Sequence, residues 1–368
     1  MMNRNALLQQ AADEKNPWDV LVIGGGATGL GTALDAVARG YRTVLVERSD
    51  FAQATSSRST KLIHGGVRYL RQGQIGMVRQ SLQERRRLLK NAPHLVNSLE
   101  FVLPAYQRGA RWYYYAGLKA YDLLSASDSF PPAQLLSRSQ VIERLPTLHS
   151  QHLQGGVRYS DGQFDDARLA ITLARTIVDH GGITLNYAQV ERLIHERGRV
   201  AGAEVTDLET QQRFTVRAHV VINATGVFAE QLMGLDAAVM PPDERFDSGI
   251  MIRPSQGSHL VFDGDFLKSS SAMMIPETDD GRVLFAIPWH GQTLFGTTDL
   301  PVRNVSANPR PLQEEVDYLL QHAARYFTRT PRQEDIQSMF AGLRPLVASS
   351  GKKSTAGLSR EHEIVVSG

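Results

Sequence analysis

Residues 19–47 constrain this chain more tightly than any other stretch. Val20, Leu21, Val22 and Ile23 form a short apolar run, and Gly24-Gly25-Gly26-Ala27-Thr28-Gly29 follows it. From Leu30 to Arg39 the apolar residues fall at helical spacing, and Gly40 stops the helix. Thr43 to Val46 reads as a second strand that ends on Glu47. Strand, glycine turn, helix, strand and acid are the frame of a dinucleotide-binding βαβ unit. Gly24 permits the tight turn, Gly26 lets backbone N–H groups approach a pyrophosphate, and Gly29 lets the helix pack close to the strand. The helix N-terminus adds free N–H groups and partial positive charge. Glu47 stands 18 residues after Gly29, near the ~20 at which an acid reaches a ribose hydroxyl. These residues do not decide between FAD and NAD.

The rest of the chain narrows the class by exclusion. With 368 residues and 42% apolar composition, it can form one large or two intimately joined domains. A formal net charge of +2 gives no reason to expect a nucleic-acid partner. The lack of cysteine excludes disulfides, thiolate catalysis and cysteine-ligated iron–sulfur clusters. Residues 1–17 are polar, lack a signal-peptide core and read as a loose arm. No run approaches the ~18 apolar residues of a membrane span, so contact with a membrane would be at its surface. No His/Asp/Glu spacing suggests a metal site, and no nucleophile elbow is present.

Directly after Glu47 comes a segment rich in small hydroxyl residues, in which Thr55, Ser56, Ser57 and Lys61 are candidate donors to a phosphate-bearing ligand. His64 and the pair Gly65-Gly66 follow, and the glycines would allow close backbone approach to a flat ring. The alternative for this segment is a solvated loop. The run Ala54-Thr-Ser-Ser-x-Ser-x-Lys-Leu-Ile-His-Gly-Gly-Val-Arg-Tyr-Leu70 resembles the quinone-linked, FAD-dependent glycerol-3-phosphate dehydrogenases. Ile287-Pro288-Trp289, Phe295-Gly-Thr-Thr-Asp299 and Phe340-Ala-Gly-Leu-Arg-Pro345 extend the resemblance along nearly the whole chain.

That resemblance implies an α/β fold, with an FAD-binding Rossmann-type domain of the glycine/D-amino-acid oxidase-like group. An antiparallel-sheet substrate domain is interleaved with it. The implied cofactor is FAD, which cannot be held here through a cysteine. The implied reaction is oxidation of sn-glycerol 3-phosphate to dihydroxyacetone phosphate, with electrons passed to quinone. The implied location is the inner face of the cytoplasmic membrane, with a homodimer as an option. Arg344 and Arg360 would grip the phosphate, because planar guanidinium forks pair with its oxygens, and Arg68 and Tyr69 would face the substrate. Val190 would hold the adenine through its backbone. Thr225 and Gly226, at the end of an apolar strand from Val220, would lie beside the same cofactor as Gly24. His259 reads either as the base that removes the hydroxyl proton or as a satisfied core histidine, and His64 has the same ambiguity. A glycerophosphate oxidase that uses oxygen and an incomplete flavin-binding fragment stand as alternatives.

The expected layout is an arm at 1–17, an FAD domain from 18–80 and 150–240, and a substrate domain from 81–149 and 241–350. Residues 351–368 would begin a return to the FAD domain through a strand at 363–367. The family's next segment, a glycine-rich turn entering a helix, and its C-terminal helical domain lie beyond Gly368, so the expectation is a shortened member. Arg213–Arg217 and Val220–Gly226 read as two separate strands, the second buried, and Gly155–Leu169 as a turn into a helix capped by Asp165. The helix from Gly76 to Lys90, with Gln83-Glu-Arg-Arg-Arg87, reads as a solvated charged face. Tyr114, Leu118, Tyr121 and Leu124 form one helical stripe beside Arg111 and Lys119. Core packing and an interfacial role are both open there, and the resemblance tips the reading towards a membrane surface.

Overall fold

The computed structural model describes residues 3–12, 16–125, 130–239, 251–276, 278–279, 281–348 and 364–366. In chain order the elements are α1 (Arg4–Ala11), β1 (Trp18–Ile23), α2 (Ala27–Ala38), β2 (Thr43–Val46), β3 (Leu62–Ile63), α3 (Val67–Arg71), α4 (Ile75–Asn91) and β4 (Val96–Ala105). Then come α5 (Ala110–Ser125), β5 (Gln134–Leu136), α6 (Arg138–Arg144), β6 (Gly155–Phe164), α7 (Asp166–Asp179), β7 (Ile183–Leu185), β8 (Ala188–Glu196), β9 (Arg199–Asp207) and β10 (Arg213–Asn223). The last group is α8 (Ala229–Val239), β11 (Met251–Asp263), β12 (Ala272–Ile275), β13 (Leu284–Trp289), β14 (Gln292–Gly296), β15 (Leu300–Pro301), α9 (Gln313–Tyr326) and β16 (Ser338–Ala348).

Two sheets organise these elements. The first has the order β7-β2-β1-β10-β9-β8. Its central parallel strands β2 and β1 are largely apolar, as strands covered on both faces are, and Leu21, Val22, Val44 and Leu45 are fully buried. The helices α2 and α7 cover one side through Leu30, Ala33, Val37, Ala170, Ala174 and Ile177. Asp165 caps α7 by accepting from the Arg168 N–H at 2.9 Å. The second sheet runs β15-β11-β14-β13-β12-β4-β6-β3, with β16 on β11 and β5 on β6. Its core is built around Phe262, Phe266, Phe295 and Phe327.

Several expectations change here. Residues 4–11 are not loose: they form α1, whose Arg4 pairs with Asp207 at 2.5 Å and whose Ala11 is buried. A polar segment of this length lacks the periodicity that would announce a helix, and the docking is carried by the ion pairs of Arg4 with Asp207 and Glu209 and by Leu7, Leu8 and Ala11 packed against the first sheet. The two strands expected at 213–217 and 220–226 are one strand, β10. Its first half pairs antiparallel with β9, and its second half pairs parallel with β1. Among the described residues that second half pairs with β1 alone, and Val220 is 51% exposed rather than buried.

Residues 155–164 are a strand next to the β3 end of the second sheet, paired with β4, β5 and β3, rather than a turn. The second sheet, expected from 81–149 and 241–350, therefore takes residues 155–164, and 62–63 as well. Arg85 leaves the solvated face expected of α4: it is 1% exposed, whereas Gln83, Glu84, Arg86 and Arg87 are exposed. Ile364–Val366 carries no strand, and the remainder of 361–368 lies outside the described residues.

Candidate active site

The glycine turn sits at the carboxyl ends of three adjacent parallel strands. Ile23 pairs with Val46 on one side and Asn223 on the other, so Gly24, Glu47 and Ala224 stand at one level. Gly24 has φ +116°, and a Cβ there would strike the Ala224 backbone, so only glycine serves. A Cβ on Gly29 would collide with the Gly24 carbonyl, which explains the close packing of α2 on its strand. Gly26 caps α2 without a side-chain bond. The Ala27 N–H donates to Ser56 Oγ at 2.9 Å, so a hydroxyl oxygen already marks where a phosphate oxygen would be bound. Glu47 accepts from the Gly25 and Ser49 N–H groups, each at 2.7 Å. Each carboxylate oxygen keeps a lone pair for a ribose hydroxyl. Thr225 donates to Asn223 Oδ1 at 2.7 Å, and Gly226 follows at φ +60°. Val190 pairs with Val205 just before a bulge in β8. This cradle fits a dinucleotide.

From the cradle the chain runs towards the second sheet. Thr55 Oγ1 donates to the Leu343 carbonyl at 2.7 Å, so that hydroxyl ties the segment to β16. The Ser57 carbonyl and Asp166 Oδ1 both accept from Lys61 Nζ at 2.7 Å. The Lys61 ammonium is thus bound to protein acceptors, and its charge also lies 5.4 Å from the Phe340 ring centroid.

Beyond Lys61 lies a cavity of about 210 Å³. Thr60, His64, Tyr69, Asp161, Arg282, Thr297, Asp299 and Arg344 supply its polar lining, and Phe101, Tyr159, Met274 and Phe285 much of the apolar wall. Arg344 enters from β16. Its Nη2 donates to Thr297 Oγ1 at 3.2 Å and to the Thr298 carbonyl at 3.1 Å, and its Nη1 lies 3.3 Å from Asp299 Oδ1. The guanidinium crosses Gly257, where a Cβ would stand 2.5 Å from Nη2. Asp299 is itself held by the Ser255 hydroxyl.

His259 stands on β11 opposite Phe340 and Gly296. Its ring stacks on Phe340 at 4.8 Å and 18°, and the absent Cβ of Gly296 makes room for the other face. Nε2 lies 3.0 Å from Thr60 Oγ1. Burial, with the charges of Arg344 and Lys61, lowers the His259 pKa to about 3, so the imidazole is neutral at physiological pH.

Below Gly65-Gly66 lies a charged network that the sequence did not announce. The Gly65 N–H donates to Tyr121 Oη at 2.6 Å, Tyr121 donates to Asp161 Oδ2 at 2.8 Å, and Arg85 Nη1 meets Asp161 Oδ1 at 2.5 Å. Burial pushes the Asp161 carboxyl up, and the Arg85 charge pulls it down. A Cβ on Gly65 would meet Tyr121 Oη and Leu82, and one on Gly66 would meet the Tyr69 ring. Both glycines therefore serve the protein's own packing. Asp161 escaped notice because Asp-Gly reads as a turn signal, and Arg85 because its neighbours are all charged. Arg68 lies in α3, and Arg360 lies outside the described residues.

A family model described as FAD dependent oxidoreductase matches residues 19–362. This chain belongs to the FAD-dependent oxidoreductase family. Among curated members, the probable mitochondrial glycerol-3-phosphate dehydrogenase of Caenorhabditis elegans is 41% identical over 95% of the chain and 49% of its own length. The mitochondrial glycerol-3-phosphate dehydrogenase of Saccharomyces cerevisiae is 37% identical over 100% of the chain and 61% of its own. The chain thus spans about half the length of most of the curated relatives it matches. Among solved members, the glycerol-3-phosphate dehydrogenase from Bacillus halodurans complexed with FAD is 34% identical, with a TM-score of 0.76 over 95% of this chain and 60% of that one. The L-α-glycerophosphate oxidase of Mycoplasma pneumoniae, with FAD bound, shares the fold at a TM-score of 0.70 and 18% identity, over 91% of this chain and 85% of that one. The expected α/β, glycine-oxidase-like architecture of this oxidoreductase family is the one observed.

Proposed function

We propose that this chain binds FAD in the cradle at Gly24–Gly29 and oxidises the secondary alcohol of sn-glycerol 3-phosphate to dihydroxyacetone phosphate, with quinone as the electron acceptor. The observation that carries the reading is Arg344. It is a guanidinium held in a partly apolar cavity, beside a buried histidine and its threonine partner, with Asp299 Oδ1 at 3.3 Å from Nη1. Such a cation suits a phosphate dianion. The relatives' names agree with that substrate. Bound flavin would supply a two-electron acceptor for the carbinol hydride. The protein's share is to hold the phosphate on Arg344, to orient the carbinol at the Thr60–His259 end and to exclude water with Phe101, Tyr159 and Phe285.

Val190, Thr225, Gly226, Ser56 and Glu47 are proposed cofactor contacts, with His64, Gly65 and Gly66 at the ring end. Thr55, Ser57 and Lys61 support the same segment from behind. Tyr69, together with Arg68 and Arg360, belongs to the substrate side of this proposal.

The membrane surface belongs to it too. Trp112, Tyr113 and Leu123 on α5 are 58%, 63% and 82% exposed, beside Arg111 and Lys119, as an interfacial helix requires. No helix among the described residues is long and apolar enough to cross a membrane. The inner face of the cytoplasmic membrane is the proposed location.

The test is anaerobic. Purified chain is loaded with FAD and mixed with glycerol 3-phosphate, and the flavin absorbance is followed. Bleaching supports the reading, whereas bound FAD that never bleaches rejects it. Hydrogen peroxide formed on readmitting air would replace quinone by oxygen as the acceptor.

A further inference from the structure

His259 does not reach the cavity. Its side chain is 2% exposed, clamped between Phe340 and the backbone at Gly296. Thr60 stands at the cavity wall, and its Oγ1 is the partner of His259 Nε2 at 3.0 Å. Among the described residues, Nδ1 is buried with no hydrogen-bond partner. The Nε2 edge is therefore the ring's one polar outlet, and that outlet ends on a hydroxyl.

Thr60 is also fixed from both sides in the chain. Asp166, at the first turn of α7, accepts from the Ser59 N–H at 3.1 Å, from the Ser59 hydroxyl at 2.7 Å and from Lys61 Nζ at 2.7 Å. The Lys61 N–H returns to Ser59 Oγ at 3.0 Å. Lys61 sits at φ +61°, a left-handed backbone that a side chain this long adopts only when its surroundings enforce it. The buried ion pair with Asp166 does so here. Three consecutive residues are thus anchored so that the middle one presents its side chain between the histidine and the cavity.

We infer that Thr60 makes the polar contact with the carbinol of a substrate in this cavity, and that His259 acts through it. A hydroxyl suits this place because it can accept one hydrogen bond and donate another at once. The contact is therefore made by Thr60, and His259 is a positioning residue that orients the Thr60 hydroxyl. The inference rests on the alcohol-oxidation reading for the identity of the ligand, and on geometry alone for the pairing.

The test compares FAD-loaded wild type with Thr60→Val, Thr60→Ser, His259→Gln and the Thr60→Val/His259→Gln double variant, with urea midpoints and FAD content measured for each. Thr60→Val should lower kcat about a hundredfold with KM for glycerol 3-phosphate nearly unchanged. Thr60→Ser should restore most of that loss. The double variant should be no slower than the worse single one, as groups acting as a unit behave. Near-wild-type turnover in Thr60→Val, a serine variant as slow as the valine one, or multiplying losses would each overturn the inference.

The ring ¹⁵N signals of His259 in FAD-free chain provide a readout without turnover. Thr60→Val should move the Nε2 signal, and a stationary signal would refute the pairing. An Nε2 signal that moves on Thr60→Val, in a protein whose wild type never oxidises glycerol 3-phosphate, would reject the functional reading and not the pairing.

Discussion

His259 shows how one side chain ties folding to acidity. Its pKa is near 3 in the folded chain against about 6.5 when unfolded. The unfolded state therefore binds the extra proton first as pH falls, and stability drops between about pH 6.5 and 3. Full suppression over that window is worth on the order of 4–5 kcal/mol. His259→Gln should flatten the loss, so that the urea midpoint gap between variant and wild type narrows from pH 7 to pH 4. A gap of constant width would show that the histidine titrates normally. Arg344 is proposed to act on the ligand instead. Hydrogen bonds to charged groups contribute about 1.5–3 kcal/mol, so Arg344→Ala should raise KM for glycerol 3-phosphate about ten- to a hundredfold. Steady-state kinetics with an unchanged KM would remove Arg344 from the phosphate grip.

Elements carry the next predictions. β6 delivers Asp161 and α4 delivers Arg85 to one buried point, where α5 adds Tyr121 and supports the Gly65 N–H. Tyr121→Phe leaves that N–H without its acceptor and should cost about 1–3 kcal/mol by urea denaturation. Asp161→Asn leaves Arg85 buried against a neutral partner and should cost more, about 3–5 kcal/mol. Equal, negligible shifts would mean the network is incidental. On the opposite side of α5, Leu123→Asp should lower co-sedimentation with anionic phospholipid vesicles several-fold, because a leucine's burial contributes about 1.5–3 kcal/mol. Unchanged sedimentation would remove this face of α5 from the proposed membrane contact.

What could be read from the chain beforehand divides along the same line. The βαβ frame and the cap on α7 were legible because each is set by neighbours close in sequence; the stripe on α5 was visible as a stripe, but Leu118 and Tyr121 are buried, so it packs into the core rather than facing a membrane surface. β10 was not, because whether Arg213–Asn223 forms one strand or two depends on β9 and β1, which lie far apart in the chain. Arg85 and Asp161 were not, because a buried ion pair leaves no periodic mark on either segment. Thr60 was hidden among similar hydroxyl residues, and only the position of His259 singles it out.

For the whole molecule, the joint between the two sheets matters most. Arg58 lies just after the cradle, and its guanidinium reaches the Ala341 carbonyl at 3.2 Å and Asn308 Oδ1 at 2.7 Å. Thr55 and Leu343 form a second tie. Arg58→Ala should loosen the two halves and lower the denaturant slope m as their unfolding separates. A single transition with an unchanged slope would show that the joint does not depend on this side chain.

One consequence of β10 concerns the order in which the chain is made. The glycine turn leaves the ribosome early, but Ile23 pairs with Asn223, about 200 residues downstream. At about 5–20 residues per second, the cradle lacks its third wall for roughly 10–40 s of synthesis. During that interval the apolar strand at Trp18–Ile23 has an unpaired edge, a hazard for aggregation in the nascent chain. Expression yield should therefore depend on elongation rate and on chaperone supply, even where the finished protein is stable.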